Sequence, residues 1–319
     1  MPLRRLAPLV ALTALAAASA RADGPPPWAY AVASPGTPEH HDDGLVHHVP
    51  GSPLGLTEKQ FEAHRQPVPD WHPEEHPPMP AIVSVGREPQ VWACAYCHLP
   101  NGAGRPENTS LAGLSPAYFR QQVADFRSGK RAGSEPRRGP EGAMIALAKA
   151  VTDAEVSQAA AYFCSLKPAG FVKVVESATV PVSYVAGAMF ARLPGGGAEP
   201  IGNRIIEMPD DLAQAENRDS RTPYTAFVPV GSLAAGAALV TTGNGGKTMQ
   251  CSLCHGPDLR GLGDFPRLAG RSPSYLMRQL YDFKSGARTS DSGLMKVVVA
   301  QLTEGDMLAI SAYLASRTP

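Results

Sequence analysis

Two stretches of the chain carry the same helical stripe of apolar residues. Val156, Ala159 and Phe163 recur at i, i+3 and i+7, and so do Met307, Ile310 and Leu314, which puts each set on one helix face. Polar residues mark where these helices begin, Thr152-Asp153-Ala154-Glu155 and Thr303-Glu304-Gly305-Asp306, and each runs through Tyr162 or Tyr313. A second pair of helices follows from a repeat. Leu111 to Arg131 aligns without gaps on Leu268 to Arg288, with twelve of twenty-one positions identical. Both copies hold Leu-Ala-Gly, Ser-Pro, a tyrosine (Tyr118, Tyr275), Asp-Phe (Asp125-Phe126, Asp282-Phe283) and Ser-Gly. Ser115 and Ser272 read as N-caps followed by proline at the first helical position, and Gly129 and Gly286 as helix ends. Two small all-α units result, at 91–168 and 231–319.

Elsewhere the pattern changes. Within 169–230, Phe171 to Val175, Val180 to Val185, Ala188 to Leu193, Ile201 to Met208 and Tyr224 to Val230 are β-prone runs broken by Pro and Gly. Gly195-Gly196-Gly197 is a turn between two of them. This stretch reads as a β-rich insertion that packs between the units or docks a partner. Residues 23–90 form an arm rich in proline and histidine, with His40, His41, His47, His48, His64, His72 and His76. Its prolines predict extended, solvated chain wrapped on a neighbour, and the alternative is a His-rich metal site. Thr57-x-x-Gln60, of capping-box form, predicts one helix there that leads into Phe61, Ala63 and His64.

Each unit opens on a chemical motif. Cys94-Ala95-Tyr96-Cys97-His98 and Cys251-Ser252-Leu253-Cys254-His255 are C-x-x-C-H runs, the pattern of covalent c-type haem attachment. Two thiols one helical turn apart reach both vinyl groups on one side of a porphyrin, and the adjacent histidine offers an imidazole nitrogen to the iron. A zinc ribbon wants its cysteine pairs about 15–20 residues apart, far closer than these, and a thioredoxin-like pair does not require the histidine. Two covalently bound haems are expected. Register nominates the opposite axial ligands: Met144 and Met295 each stand twenty-four residues before a matching proline, Pro168 or Pro319, in the loop between two helices. The other candidates fail, because Met277 faces Arg120, Met307 faces Val156, and Met249 is too near Cys251. A six-residue insertion rich in Arg, Pro and Gly precedes Met144. His47 or His72 from the arm could displace one methionine. A His/Met pair raises the haem potential and leaves no vacant position for substrate.

Residues 1–22 read as a secretory signal, with Arg4 and Arg5, an apolar run from Leu6 to Ala18, and cleavage after Ala18-Ser19-Ala20 or Ala20-Arg21-Ala22. The apolar run is short for a membrane anchor, and no later stretch approaches a transmembrane helix. The periplasm is the expected location, with the protein soluble or peripherally membrane-associated. A formal net charge of zero, mildly acidic once Arg4, Arg5 and Arg21 are lost, gives no sign of nucleic acid as a partner, which would ask for a basic face. Cys164, the fifth cysteine, aligns with Ala315 and reads as a buried small side chain.

The two C-x-x-C-H runs, the Leu-Ala-Gly with its following Tyr and Asp-Phe, and Met144 and Met295 together resemble a dihaem class I cytochrome c of the c4 type. The resemblance covers about 91–168 and 231–319. It implies a mainly α protein of two tandem class I cytochrome c domains, here joined by the β-rich 169–230 and preceded by the 23–90 arm. It also implies a periplasmic carrier of single electrons, free or as the cytochrome subunit of a dehydrogenase. Its donor would be a periplasmic or membrane-bound dehydrogenase or quinol-oxidising complex, and its acceptor a terminal oxidase or reductase. The competing class is a dihaem enzyme with an open haem, of peroxidase or thiosulfate-oxidising type. The chain departs from the family in two places. Pro77-Pro78-Met79-Pro80 occupies the place of the helix that Ser232 to Thr241 supplies in the second unit, so Thr57 to Arg65 is the candidate substitute. The family's proline that props the ligating imidazole with its carbonyl fits Pro266, but its counterpart is Thr109. Support of His98 is therefore in question, and the two haems are expected to differ in potential.

Overall fold

The structure, a computed structural model, describes residues 24–37, 41–62 and 67–319; the expected signal at 1–22, together with His40, Ala63 and His64, lies outside the described residues. In chain order, strands β1 (Val46–His47) and β2 (Leu56–Thr57) pair antiparallel and lead into the short helices α1 (Glu58–Phe61) and α2 (Ala81–Ser84). An antiparallel pair, β3 (Gly86–Arg87) with β4 (Val91–Trp92), delivers the chain to α3 (Cys94–His98). Helices α4 (Pro116–Ser128), α5 (Gly139–Ala150) and α6 (Asp153–Ser165) complete a first helical group. Then come β5 (Val172–Glu176), β6 (Thr179–Pro181), β7 (Ser183–Ala186), β8 (Met189–Arg192), β9 (Ala198–Pro200) and β10 (Ile206–Pro209). Helix α7 (Leu212–Glu216) and β11 (Tyr224–Val228) follow. A second helical group comprises α8 (Ser232–Thr242), α9 (Ser252–His255), α10 (Pro273–Ser285), α11 (Leu294–Val299) and α12 (Glu304–Ala315).

Local chemistry sets the helix ends. Ser115 Oγ accepts the Tyr118 N–H at 3.0 Å and Ser272 Oγ that of Tyr275 at 3.2 Å, satisfying backbone donors that the first turn leaves free. Gly129 and Gly286 stop the same helices at φ 80° and 89°, a left-handed conformation that glycine adopts without a Cβ clash. Capping boxes start α6 at Thr152/Glu155 and α12 at Thr303/Asp306.

Each helical group closes over its own core. Ile82, Val83, Leu111, Phe119, Val123 and Phe163 are buried together in the first. Leu239, Val240, Leu276, Met277, Ile310 and Leu314 are buried in the second. In the second group α8 crosses α12 at Gly236, where a Cβ would collide with the Ala309 carbonyl oxygen and lie 2.7 Å from Tyr313 Cβ. In the first group the place of α8 is taken by α2, through Ile82 and Val83. This corrects the expectation for Thr57 to Arg65. The described helix there is one turn, and Phe61 packs instead with Val49 and Trp71 in a separate cluster.

The 172–228 segment forms a three-stranded sheet of order β10-β11-β5, antiparallel then parallel, with β6 pairing β9 and β7 pairing β8. Strand β9 follows directly on the three-glycine turn, and α7, capped by Asp211, was not anticipated from the β-prone pattern. The arm differs from solvated chain. Ala29 and Tyr30 are buried against the second core, Trp71 Nε1 donates to the Asn217 carbonyl at 2.7 Å, and buried His72 pairs with Asp219 at 2.9 Å. Proline content signalled extension, but the aromatic residues decide burial, because each removes a large apolar area from water. Cys164 in α6 is half-buried, not enclosed, and burial pushes its thiol up to about 11.

Gly236→Ala should cost about 1–3 kcal/mol by overpacking the α8–α12 crossing. Denaturant unfolding of the loaded protein measures this, and a change under about 0.5 kcal/mol would show that the crossing has slack.

Candidate functional site

Both C-x-x-C-H runs fold as a single helical turn against one wall of an apolar cavity. Cys94, Cys97, His98 and Met144 line a cavity of about 480 Å³ between α3, α4 and α5. Cys251, Cys254, His255 and Met295 line one of about 370 Å³ in the second group. Thus the structure brings each sequence-nominated set of four together. The methionines sit within α5 and α11, not in loops. Pro140 and Glu141 in the first turn of α5, followed by an alanine-rich run, favour helix where the repeat register implied a connection.

The imidazoles are held alike. His98 Nδ1 donates to the Thr109 carbonyl at 2.9 Å, and His255 Nδ1 to the Pro266 carbonyl at 2.8 Å. A carbonyl only accepts, so the proton is on Nδ1 and the Nε2 lone pair is free to bind a metal. Burial pushes His98 down to about 4 against the opposing effect of the Thr109 carbonyl, and lowers His255 too, so both rings are neutral at neutral pH. Expected weakness at Thr109 is thereby corrected: the prop is a main-chain oxygen, which threonine supplies as well as proline. Burial raises the thiols, Cys94 to about 12 and Cys251 to about 11, unlike the low-pKa thiolate of a redox-active pair.

Between the cavities lies a reciprocal contact. Arg131 Nη2 donates to the Tyr275 hydroxyl at 3.0 Å and Gln279 Oε1 at 3.1 Å; Arg288 Nη2 donates to the Tyr118 hydroxyl at 3.0 Å and Gln122 Oε1 at 2.6 Å. The two arginines also form an antiparallel backbone bridge, and each guanidinium lies over a phenylalanine, Phe126 at 4.5 Å and Phe283 at 4.4 Å. Tyr118, Gln122, Arg271, Tyr275 and Gln279 line both cavities. Burial would raise the Tyr275 phenol, but Arg131, Arg288 and Arg271 outweigh it and bring it down to about 7.

This cluster is short of negative charge. Among the described residues no carboxylate lies within ion-pair distance of Arg131, Arg267, Arg271 or Arg288. Arg271 is buried, donates from Nη1 to Thr109 Oγ1 at 2.8 Å, and leaves Nη2 without a partner. A buried guanidinium with one nitrogen left unpaired beside two apolar cavities suits a ligand that is apolar in body and bears carboxylates at one edge, as haem does. Sequence reasoning missed these arginines. The signal was present in the repeat, where Tyr118/Tyr275, Gln122/Gln279 and Arg131/Arg288 are identical. Among the described residues the arm histidines stay apart from the cavities: His72 is paired with Asp219 and His47 with Asp43. Among the described residues no three His, Cys, Asp or Glu side chains gather as a metal site, and no helix is long and apolar enough to cross a membrane.

The features together are those of a c-type cytochrome. Residues 89–167 match the family model for cytochrome c. The chain is 26% identical over 233 residues to the thiosulfate dehydrogenase electron acceptor of Thiomonas intermedia, covering 72% of this chain and 80% of that protein. It is 28% identical over 232 residues to cytochrome c4 of Azotobacter vinelandii, covering 69% and 82% respectively. Among solved structures it is similar to thiosulfate dehydrogenase (TsdBA) from Marichromatium purpuratum, with a TM-score of 0.52 and 27% identity; the match covers 74% of this chain and only 39% of that one. The chain belongs to the cytochrome c family, whose members carry covalently attached haem iron, and its chemistry is the transfer of single electrons.

Because the histidine props are main-chain oxygens, Pro266→Ala should move the midpoint potentials by less than about 30 mV. Redox titration checks this, and a larger shift would mean that the proline ring itself fixes His255.

Proposed function

We propose that the chain is an exported, periplasmic electron carrier with two covalently attached haems, the electron acceptor of a periplasmic or membrane-bound dehydrogenase. The observation that carries this is the duplicated donor set, two cysteines, a histidine and a methionine lining each of two apolar cavities. In this reading Cys94, Cys97, Cys251 and Cys254 would form the thioethers, His98 and Met144 would hold one iron, and His255 and Met295 the other. The haem, when bound, supplies one-electron chemistry by cycling its iron between ferric and ferrous.

The protein's own residues do the rest. Thr109 and Pro266 orient the imidazoles. Leu111, Phe119 and Leu147 in one cavity, and Leu276, Phe283 and Leu302 in the other, exclude water and so limit reorganisation. Arg271, whose Nη2 has no partner, would take a haem carboxylate at the shared wall. Were His98, Met144, His255 and Met295 all to ligate, neither iron would keep a position for substrate, and the chain would be a carrier and not an enzyme.

The same reading makes 91–168 and 231–319 tandem class I domains, with 169–230 a β-rich insertion, 23–90 a wrapped arm and 1–22 a removed signal. The dehydrogenase placement is supported by the similarity to the Thiomonas protein named for that role. A quinol-oxidising donor is the other source of electrons, and a terminal oxidase or reductase receives them.

The deciding experiment is the optical spectrum of the loaded protein, oxidised, reduced and then exposed to carbon monoxide. Two low-spin haems with the weak long-wavelength methionine–iron band and no carbon monoxide binding are expected. Prompt binding at one haem would sink the carrier reading in favour of an open-site enzyme. Met295→Ala and Met144→Ala should each open one haem to carbon monoxide. Arg271→Gln should lower the midpoints by roughly 20–60 mV, since a buried cation disfavours the more positive ferric state. A redox titration showing unchanged or higher midpoints would remove Arg271 from that role.

A further inference from the structure

One pair of equivalent positions in the repeat differs sharply. Tyr96, between Cys94 and Cys97, is 5% exposed, whereas Leu253, between Cys251 and Cys254, is 63% exposed. Residues outside both helical groups cover Tyr96. Arg218, in the turn after α7, stacks its guanidinium 3.7 Å from the Tyr96 ring centroid and donates from Nη1 to the Tyr96 carbonyl at 3.0 Å. Glu62, immediately after α1, accepts from Arg218 Nε at 3.0 Å, from Nη2 at 3.1 Å, and from the Tyr96 hydroxyl at 2.6 Å. Arg218 also lines the first cavity. Its φ of 57° is a left-handed conformation that non-glycine residues keep where their surroundings fix it, and here the Ala215 carbonyl takes its N–H at 3.1 Å.

The second cavity has no such cover. Met249, Phe265 and Leu294 line it and are themselves exposed to solvent. The residue between the two cysteines is covered by the arm and the middle segment in one site and open to solvent in the other.

We infer that Arg218, Glu62 and Tyr96 form a cap that closes the cysteine edge of the first haem. Electrons then enter and leave the protein at the edge of the second haem and reach the first only across the shared wall of Tyr118, Gln122, Tyr275 and Gln279. This rests on the two-haem reading above. In each outward step a ferrous iron gives one electron to an external one-electron oxidant, and a ferrous first iron refills the second.

The test uses the full-length, haem-loaded, fully reduced protein mixed with ferricyanide at low ionic strength, where two ferrocyanide ions form per chain, one for each iron. Leu253→Glu places a negative charge beside the open edge and repels the anionic oxidant, and the exposure of Leu253 leaves the fold intact. The expected result is that every phase dependent on ferricyanide concentration slows about three-fold or more. A half-amplitude phase that keeps the wild-type second-order rate constant would overturn the inference, because it reports a second open edge. Adding Arg218→Ala to Leu253→Glu should restore such a phase. Its absence, with both haems attached, removes Arg218 from the closure. Haem content measured on the same samples separates the two readings. One haem per chain sinks the two-haem proposal and this inference together, whereas a wild-type-rate half phase at two haems per chain sinks only the cap.

Discussion

The reciprocal contact of Arg131 and Arg288 constrains everything around it. Two guanidiniums buried without a carboxylate carry a large desolvation penalty unless their donors are placed with care. Here side-chain oxygens, those of Tyr275 and Gln279 for one and of Tyr118 and Gln122 for the other, take the donors, and Phe126 and Phe283 offer their ring faces. Because each arginine belongs to one helical group and bonds to the other, the pair fixes the two groups in a near two-fold relation. The cavities consequently share a wall.

This constraint explains what was legible in the chain. Ser115, Ser272, Gly129 and Gly286 act within three or four residues of themselves, so their roles as helix starts and helix stops could be read locally. The C-x-x-C-H spacing is equally local, and the pairing of Met144 with Met295 followed from register. Identity at Arg131 and Arg288 was visible too, but a repeat seen one copy at a time gives no partner in the other copy. Thr109 misled for a different reason. Its residue type departs from proline while the atom that matters, the backbone oxygen, is unchanged. The arm misled because proline fixes backbone extension, whereas Tyr30 and Trp71 settle whether that extended chain is buried.

The middle segment takes its meaning from what it touches. Buried Glu207 on β10 accepts from Ser272 Oγ at 2.7 Å and from the Ser274 N–H at 3.1 Å, adding a carboxylate at the start of α10. Its other side meets the first group, where Asn101 Nδ2 donates to the Ser220 carbonyl at 3.3 Å and Arg218 reaches Tyr96. The segment is therefore a brace held by both groups.

That brace has a place in time as well as in space. Arg218 follows Tyr96 by 122 positions and the pairing partners of the arm, Asn217 and Asp219, follow Trp71 and His72 by 146 and 147. A chain that emerges from its N-terminus presents its first pair of thiols long before the residues that will cover them exist on the same side. The motif that ends up hidden is open while the chain is young, and its closure waits for the turn that follows α7.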